Sequence, residues 1–159
     1  MDNYDSTEDT LKHIRQVGFF LAQAVGELCR RASRHDHSKM MPEEKEAFDR
    51  ETPMLKKIEY GTPEYKTSLE RLGKALQHHY RNNSHHPEHY PIDGIAGMDL
   101  FDLVEMVSDW KAAVMRMKNG VTVDVDYNAE RFGINPQLVS IIKNTLNRWP
   151  DRDEPPEAP

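Results

Sequence analysis

Cysteine is nearly absent from this 159-residue chain: Cys29 stands alone, so no internal disulfide can form, and no CxxC pair offers a thiolate zinc or redox site. Long apolar runs are absent too. No stretch of about 18 apolar residues is present, and MDNYDSTEDT at the start is acidic where a secretory leader would be basic and then apolar. A soluble chain in a reducing cytoplasm, with no membrane partner, is the expectation. Excess positive charge is also lacking. A net charge of −6 argues against binding a nucleic-acid duplex through its phosphates, while leaving room for a small anionic ligand held by local cations. At 159 residues and 37% hydrophobic content, one domain is expected over residues 1–150, followed by an acidic, disordered tail, DRDEPPEAP.

What is present is helical spacing. Ser6 or Thr7 with Glu8 and Asp9 predicts a helix start, and apolar residues continue to about Arg31. Ile14, Val17, Leu21, Ala24 and Leu28 form the predicted buried stripe, and His13 falls beside Val17 and Ala24, pointing inward. Pro42 with Glu43 and Glu44 opens a second helix, weakened by Pro53. A third should run from Pro63 to about Asn82. Its Tyr65, Leu69, Leu72 and Leu76 mark a buried line that reaches His79 and Asn83, with His78 turned about 100° away. SHHPEHYPIDG is punctuated as a loop. The most apolar helix follows at 98–118, and on it Asp102, Glu105, Asp109 and Arg116 share a sector of about 60°. Exposed apolar residues on that helix would suggest a homodimer. Asn135 and Pro136 begin a last helix through about Arg148, and only VTVDVDY (121–127) alternates like a strand, too little for a sheet. An all-α bundle of about five to six helices is expected.

The eight histidines fall in three places: His13, then HDHSK (35–39), then a group from His78 to His89. Imidazoles beside carboxylates favour borderline or hard divalent ions such as Mn, Co, Fe, Mg, Ni or Zn over thiolate-type sites. Each element also has a plainer reading. His13 could be a satisfied core histidine, HHYRNNSHHPEH a solvated tract, and Lys39 the partner of Asp36. Glu105 and Asp109 could be a face paired with Arg116 or Lys111. Three separate helices aiming ligand-type side chains at their buried faces favour a shared metal site.

In order, His13, His35-Asp36, His79, His85-His86 and Asp109 resemble the HD-domain superfamily of metal-dependent phosphohydrolases. More closely, HDHSK, HHYRNNSHHPEHY and DLVEMVSDWKAA are similar to the DUF5662 family of bacteria and phages. The superfamily resemblance implies an HD-like helical domain with His13, His35, Asp36 and Asp109 on one ion. Asp36 would bridge to a second ion held by His79 and one or both of His85 and His86.

The function expected is hydrolysis of a nucleotide or another small phosphomonoester by metal-activated water, with one or two ions. Asp36 would act as ligand, Lys39 as phosphate contact, and Glu105 as base or, preferably, as partner of a ligand imidazole. Arg34 and Arg81 are further phosphate candidates, and Asn83, one turn after His79, could orient a ligand or the substrate. An HD-fold di-iron oxygenase and a non-catalytic metal- or nucleotide-binding module are the alternatives. Trp110 is read as core packing.

Overall fold

Local cap chemistry and apolar spacing set most helix boundaries in the computed structural model, which describes residues 4–58, 61–115 and 122–149. Those residues form seven α-helices with no strand among them, so the chain is all-α. The helix α1 runs Thr7–Arg34, with Glu8 and Asp9 in its first turn and Arg31 and Arg34 in its last, each matched to the helix dipole. Next, α2 spans Pro42–Leu55 and opens on its proline; Pro53, only two residues from the end, removes one hydrogen bond without stopping the helix.

The single helix expected from 63 to 82 is two. Gly73 adopts φ 49°, a value that side chains with a Cβ rarely take, and it separates α3 (Pro63–Leu72) from α4 (Lys74–Asn82). Helix α5 spans Leu100–Met115. The alternating segment also departs from expectation. Asp124 accepts from the backbone N–H of Tyr127 at 2.9 Å and starts α6 (Val125–Phe132), which ends at Gly133 in the left-handed region. A good N-cap and a glycine stop outweigh a few alternating valines. Asn135 caps α7 (Pro136–Arg148), accepting from Leu138 N–H at 2.9 Å. The two departures account for seven helices in place of five or six.

The chain divides into two compact units, Met1–His37 and Ser38–Pro159. In the second, α2 packs on α3 and α4, and α6 on α7. Its core is Met106 and Val107 of α5 with Val125, Ile134 and Ile142, and Trp110 stacks on Phe132 at 6.1 Å, a packing role as expected.

In the first unit, the predicted burial of α1 does not hold. None of its residues is buried, and Ile14, Val17 and Leu21 are exposed, as is His13. Helical periodicity marks a face that needs cover but does not supply the cover, and a unit containing one α-helix has no second one to provide it. Among the described residues no helix is long and apolar enough to cross a membrane. Arg116 and the acidic tail lie outside the described residues.

Candidate metal centre

A buried carboxylate organises the site. Packing of α2 on α4 places Glu44, with no solvent exposure, against two consecutive histidines. Its Oε2 lies 2.9 Å from Nδ1 of His79, and its Oε1 lies 2.8 Å from Nδ1 of His78. Ser38 donates its hydroxyl to the same Oε2 at 3.0 Å. Asn83 donates to Ser38 Oγ and to the His79 carbonyl, both at 2.7 Å. An ionised carboxylate can only accept, so the consistent assignment puts the His79 proton on Nδ1 and leaves the lone pair on Nε2.

That lone pair faces other imidazoles. After α4, the chain extends through Asn83 and returns in a 3₁₀ turn at Pro87–His89, carrying His85 and His86 back over His79. His79 Nε2 and His86 Nε2 are 2.9 Å apart, and one ring nitrogen from each of His79, His85 and His86 lies within 4.8 Å of the others. His79 and His85 are both almost fully buried. On α5, Glu105 Oε1 sits 3.2 Å from His85 Nδ1, while one turn further on an Asp109 oxygen lies within 4.8 Å of a His85 ring nitrogen. Two of the three imidazoles thus have a carboxylate at Nδ1, His79 from Glu44 and His85 from Glu105.

A second buried carboxylate secures the loop. Asp102 accepts from the Ser84 hydroxyl at 2.5 Å, the Tyr90 hydroxyl at 2.8 Å and the Asp99 N–H at 3.0 Å, holding both flanks of His85-His86. Burial, followed by the Asp102 hydrogen bond and charge, raises the Tyr90 phenol from 10.0 to about 12. The neutral phenol is therefore favoured in the fold. Its contribution to stability is complete below pH 10 and should vanish as the pH rises toward 12. Urea midpoints measured across that window should fall more steeply for the wild type than for Tyr90→Phe; parallel curves would contradict this linkage.

The HDHSK corner carries backbone strain. Asp36 has φ 56°, the one positive value among the described non-glycine residues, in a region where aspartate is better tolerated than most side chains. His35 Nε2 and Asp36 Oδ2 are 3.6 Å apart. Beyond Ser38, the ammonium of Lys39 sits 5.2 Å from the centroid of the Phe48 ring, and Phe48 in turn meets His79 edge to face at 5.6 Å.

A family model, described as a family of unknown function (DUF5662), matches residues 2–148. The chain belongs to the DUF5662 family. No curated protein and no solved structure matches it. In this DUF5662 chain, the second unit by itself brings together His79, His85 and His86, with Asp109 near His85 and Glu105 beside His85 Nδ1. Lys39 is half-buried with its ammonium over Phe48, whereas Arg34 and Arg81 are exposed. Asn83, a candidate substrate contact, is buried with its amide committed to Ser38 and the His79 backbone. It therefore positions a candidate ligand. His37 is exposed, and Lys111 donates to the Trp149 carbonyl at 3.1 Å.

Sequence reasoning missed Glu44, reading it only as first-turn charge. The available signal was spacing: Glu44, Phe48 and Glu51 recur at the interval of one helix face, and both glutamates are buried. An acidic pair sharing a face with phenylalanine needs partners. Elsewhere, Glu88, Ile92, Arg131, Phe132 and Leu138 help line an open cleft of about 700 Å³, which none of the clustered histidines lines.

Proposed function

We propose that this chain is a metal-dependent phosphohydrolase acting on a nucleotide or another small phosphomonoester. The observation that carries the reading is the orientation of His79, whose Nδ1 is occupied by buried Glu44 while Nε2 faces His86 Nε2 at 2.9 Å. Such a donor set fits a divalent ion. Adjacent nitrogens bound at about 2.0–2.1 Å stand roughly 3 Å apart in octahedral geometry and roughly 3.4 Å in tetrahedral geometry. Carboxylates behind His79 and His85 match the outer partners that fix the tautomer of ligand histidines.

His79, His85, His86 and Asp109 would hold one or two ions of the Mn, Co, Fe, Mg, Ni or Zn type. The HD-domain resemblance would add His13, His35 and Asp36 as further ligands, with Asp36 as the bridging carboxylate.

When bound, the ion would acidify a coordinated water and offset negative charge on the phosphoryl oxygens. Lys39, whose ammonium lies 5.2 Å from the Phe48 ring centroid, would contact those oxygens as a compact charge. Glu105 keeps His85 oriented. Exposed Arg34 and Arg81 are available for outer parts of a substrate.

Elemental analysis of the purified protein, with phosphate-release assays on nucleotides and sugar phosphates under Mn, Co, Mg, Fe, Ni or Zn, tests the proposal. Lys39→Ala should raise KM at least about tenfold for the phosphomonoester while metal content stays unchanged. Protein that takes up no metal, or turnover that survives chelation, refutes the reading. Oxygen consumption by an iron-loaded form without phosphate release would replace it with a di-iron oxygenase.

A further inference from the structure

Helix α1 exposes a continuous apolar seam. Leu11, Ile14, Gly18, Leu21, Val25 and Leu28 follow alternating steps of three and four residues, the spacing of a two-helix seam. Leu11 is 48% exposed, Ile14 58%, Leu21 62% and Val25 59%. At Gly18 nothing beyond its own stretch of helix backbone lies within 4 Å of where a Cβ would stand, so another backbone can approach there. Soluble proteins rarely leave such a stripe uncovered.

We infer that α1 pairs antiparallel with α1 of a second copy of this chain. The argument is self-complementarity, which a two-fold interface requires: if one residue meets another, the second must meet the first. Centred between Phe19 and Phe20, an antiparallel pair sets Leu11 against Leu28, Ile14 against Val25 and Gly18 against Leu21. Each contact occurs twice. The same register sets Asp9 opposite Arg30 and Glu8 opposite Arg31, so the acidic first turn of one helix meets the basic end of its partner. A parallel pair would instead align like charges.

The area suffices. Half-exposed aliphatic side chains along the seam amount to on the order of 450 Å² per chain, or about 900 Å² for a pair. Flanking lysine and arginine stems bring this near the roughly 1,200 Å² at which stable interfaces begin. The seam lies on α1; α5, the helix on which a dimer face was expected, also exposes Leu100, Val104 and Met115.

Sedimentation equilibrium of the full chain should give a dimer at tens of micromolar protein. Leu21→Lys with Val25→Lys should give a monomer with unchanged helical circular dichroism and unchanged metal content. A second experiment fixes the orientation. In a Cys29→Ser background, Leu11→Cys with Leu28→Cys should form a disulfide-linked dimer on oxidation, and neither single cysteine should. Those positions lie about 25 Å apart along one helix, far beyond disulfide reach, so the bond must join two chains. A monomeric wild type, a dimer indifferent to the lysines, or equal cross-linking by the single cysteines overturns the inference. Loss of helical signal in the lysine variant does so as well, because it means that the face is covered within its own chain. The metal content reads out the proposed activity separately.

Discussion

Glu44→Ala is expected to weaken metal binding by about 10- to 100-fold and to lower folding stability by at least about 2 kcal/mol. The size follows from what the carboxylate holds. Glu44 is fully buried and accepts from Ser38 while facing Nδ1 of both His78 and His79, so its removal leaves several donors without an acceptor. His79 would also lose the contact that places its proton on Nδ1. Glu44→Gln keeps the volume but presents an amide N–H to one of those donors, and it should recover packing without recovering affinity. Isothermal titration with Mn or Zn and urea denaturation measure the two effects. Wild-type affinity and midpoint in the alanine variant would mean that the histidines orient themselves.

Removing His79 should have the larger chemical effect. His79→Ala is expected to cut metal occupancy and phosphate release by more than about 100-fold, beyond what an outer partner contributes. Its neighbour gives the contrast. His78 touches the same carboxylate through Oε1, but its side chain is 37% exposed while that of His79 is 2% exposed. His78→Ala should therefore bind metal nearly as well as wild type. Elemental analysis after dialysis, run on both variants beside wild type, distinguishes them. Equal loss from the two would assign the pair a shared structural role and would count against His79 as a ligand.

Much of the secondary structure was legible because its signals are local. Pro42, Pro63 and Pro136 each open a helix as expected, since the missing N–H costs nothing in a first turn. Gly73 carries no break signal in the sequence, because a lone glycine inside apolar spacing is tolerated in many helices, and only its backbone angle reveals the break. The run VTVDVDY looked extended because alternation is a two-residue signal. The Asp124 cap and the Gly133 stop span a longer stretch and prevail.

The candidate site was legible in part for the same reason. His79 and Asn83 fall on the line through Leu72 and Leu76, and both are buried. Burial of His13 was inferred by identical reasoning and failed, since a stripe on α1 states a need for cover without naming what covers it.

By itself, the sequence determined the all-α class, most helix ends and the residue types available to a metal. Those depend on cap chemistry, period and composition, which act over a few neighbouring residues. Tertiary structure decided that Glu44 stands behind His79, that the imidazole partnered by Glu105 is His85, and that His86 returns to within 2.9 Å of His79. A buried polar group must be satisfied by whatever packing brings near it. Glu44 and His79 are 35 residues apart, and no local spacing rule reaches that far.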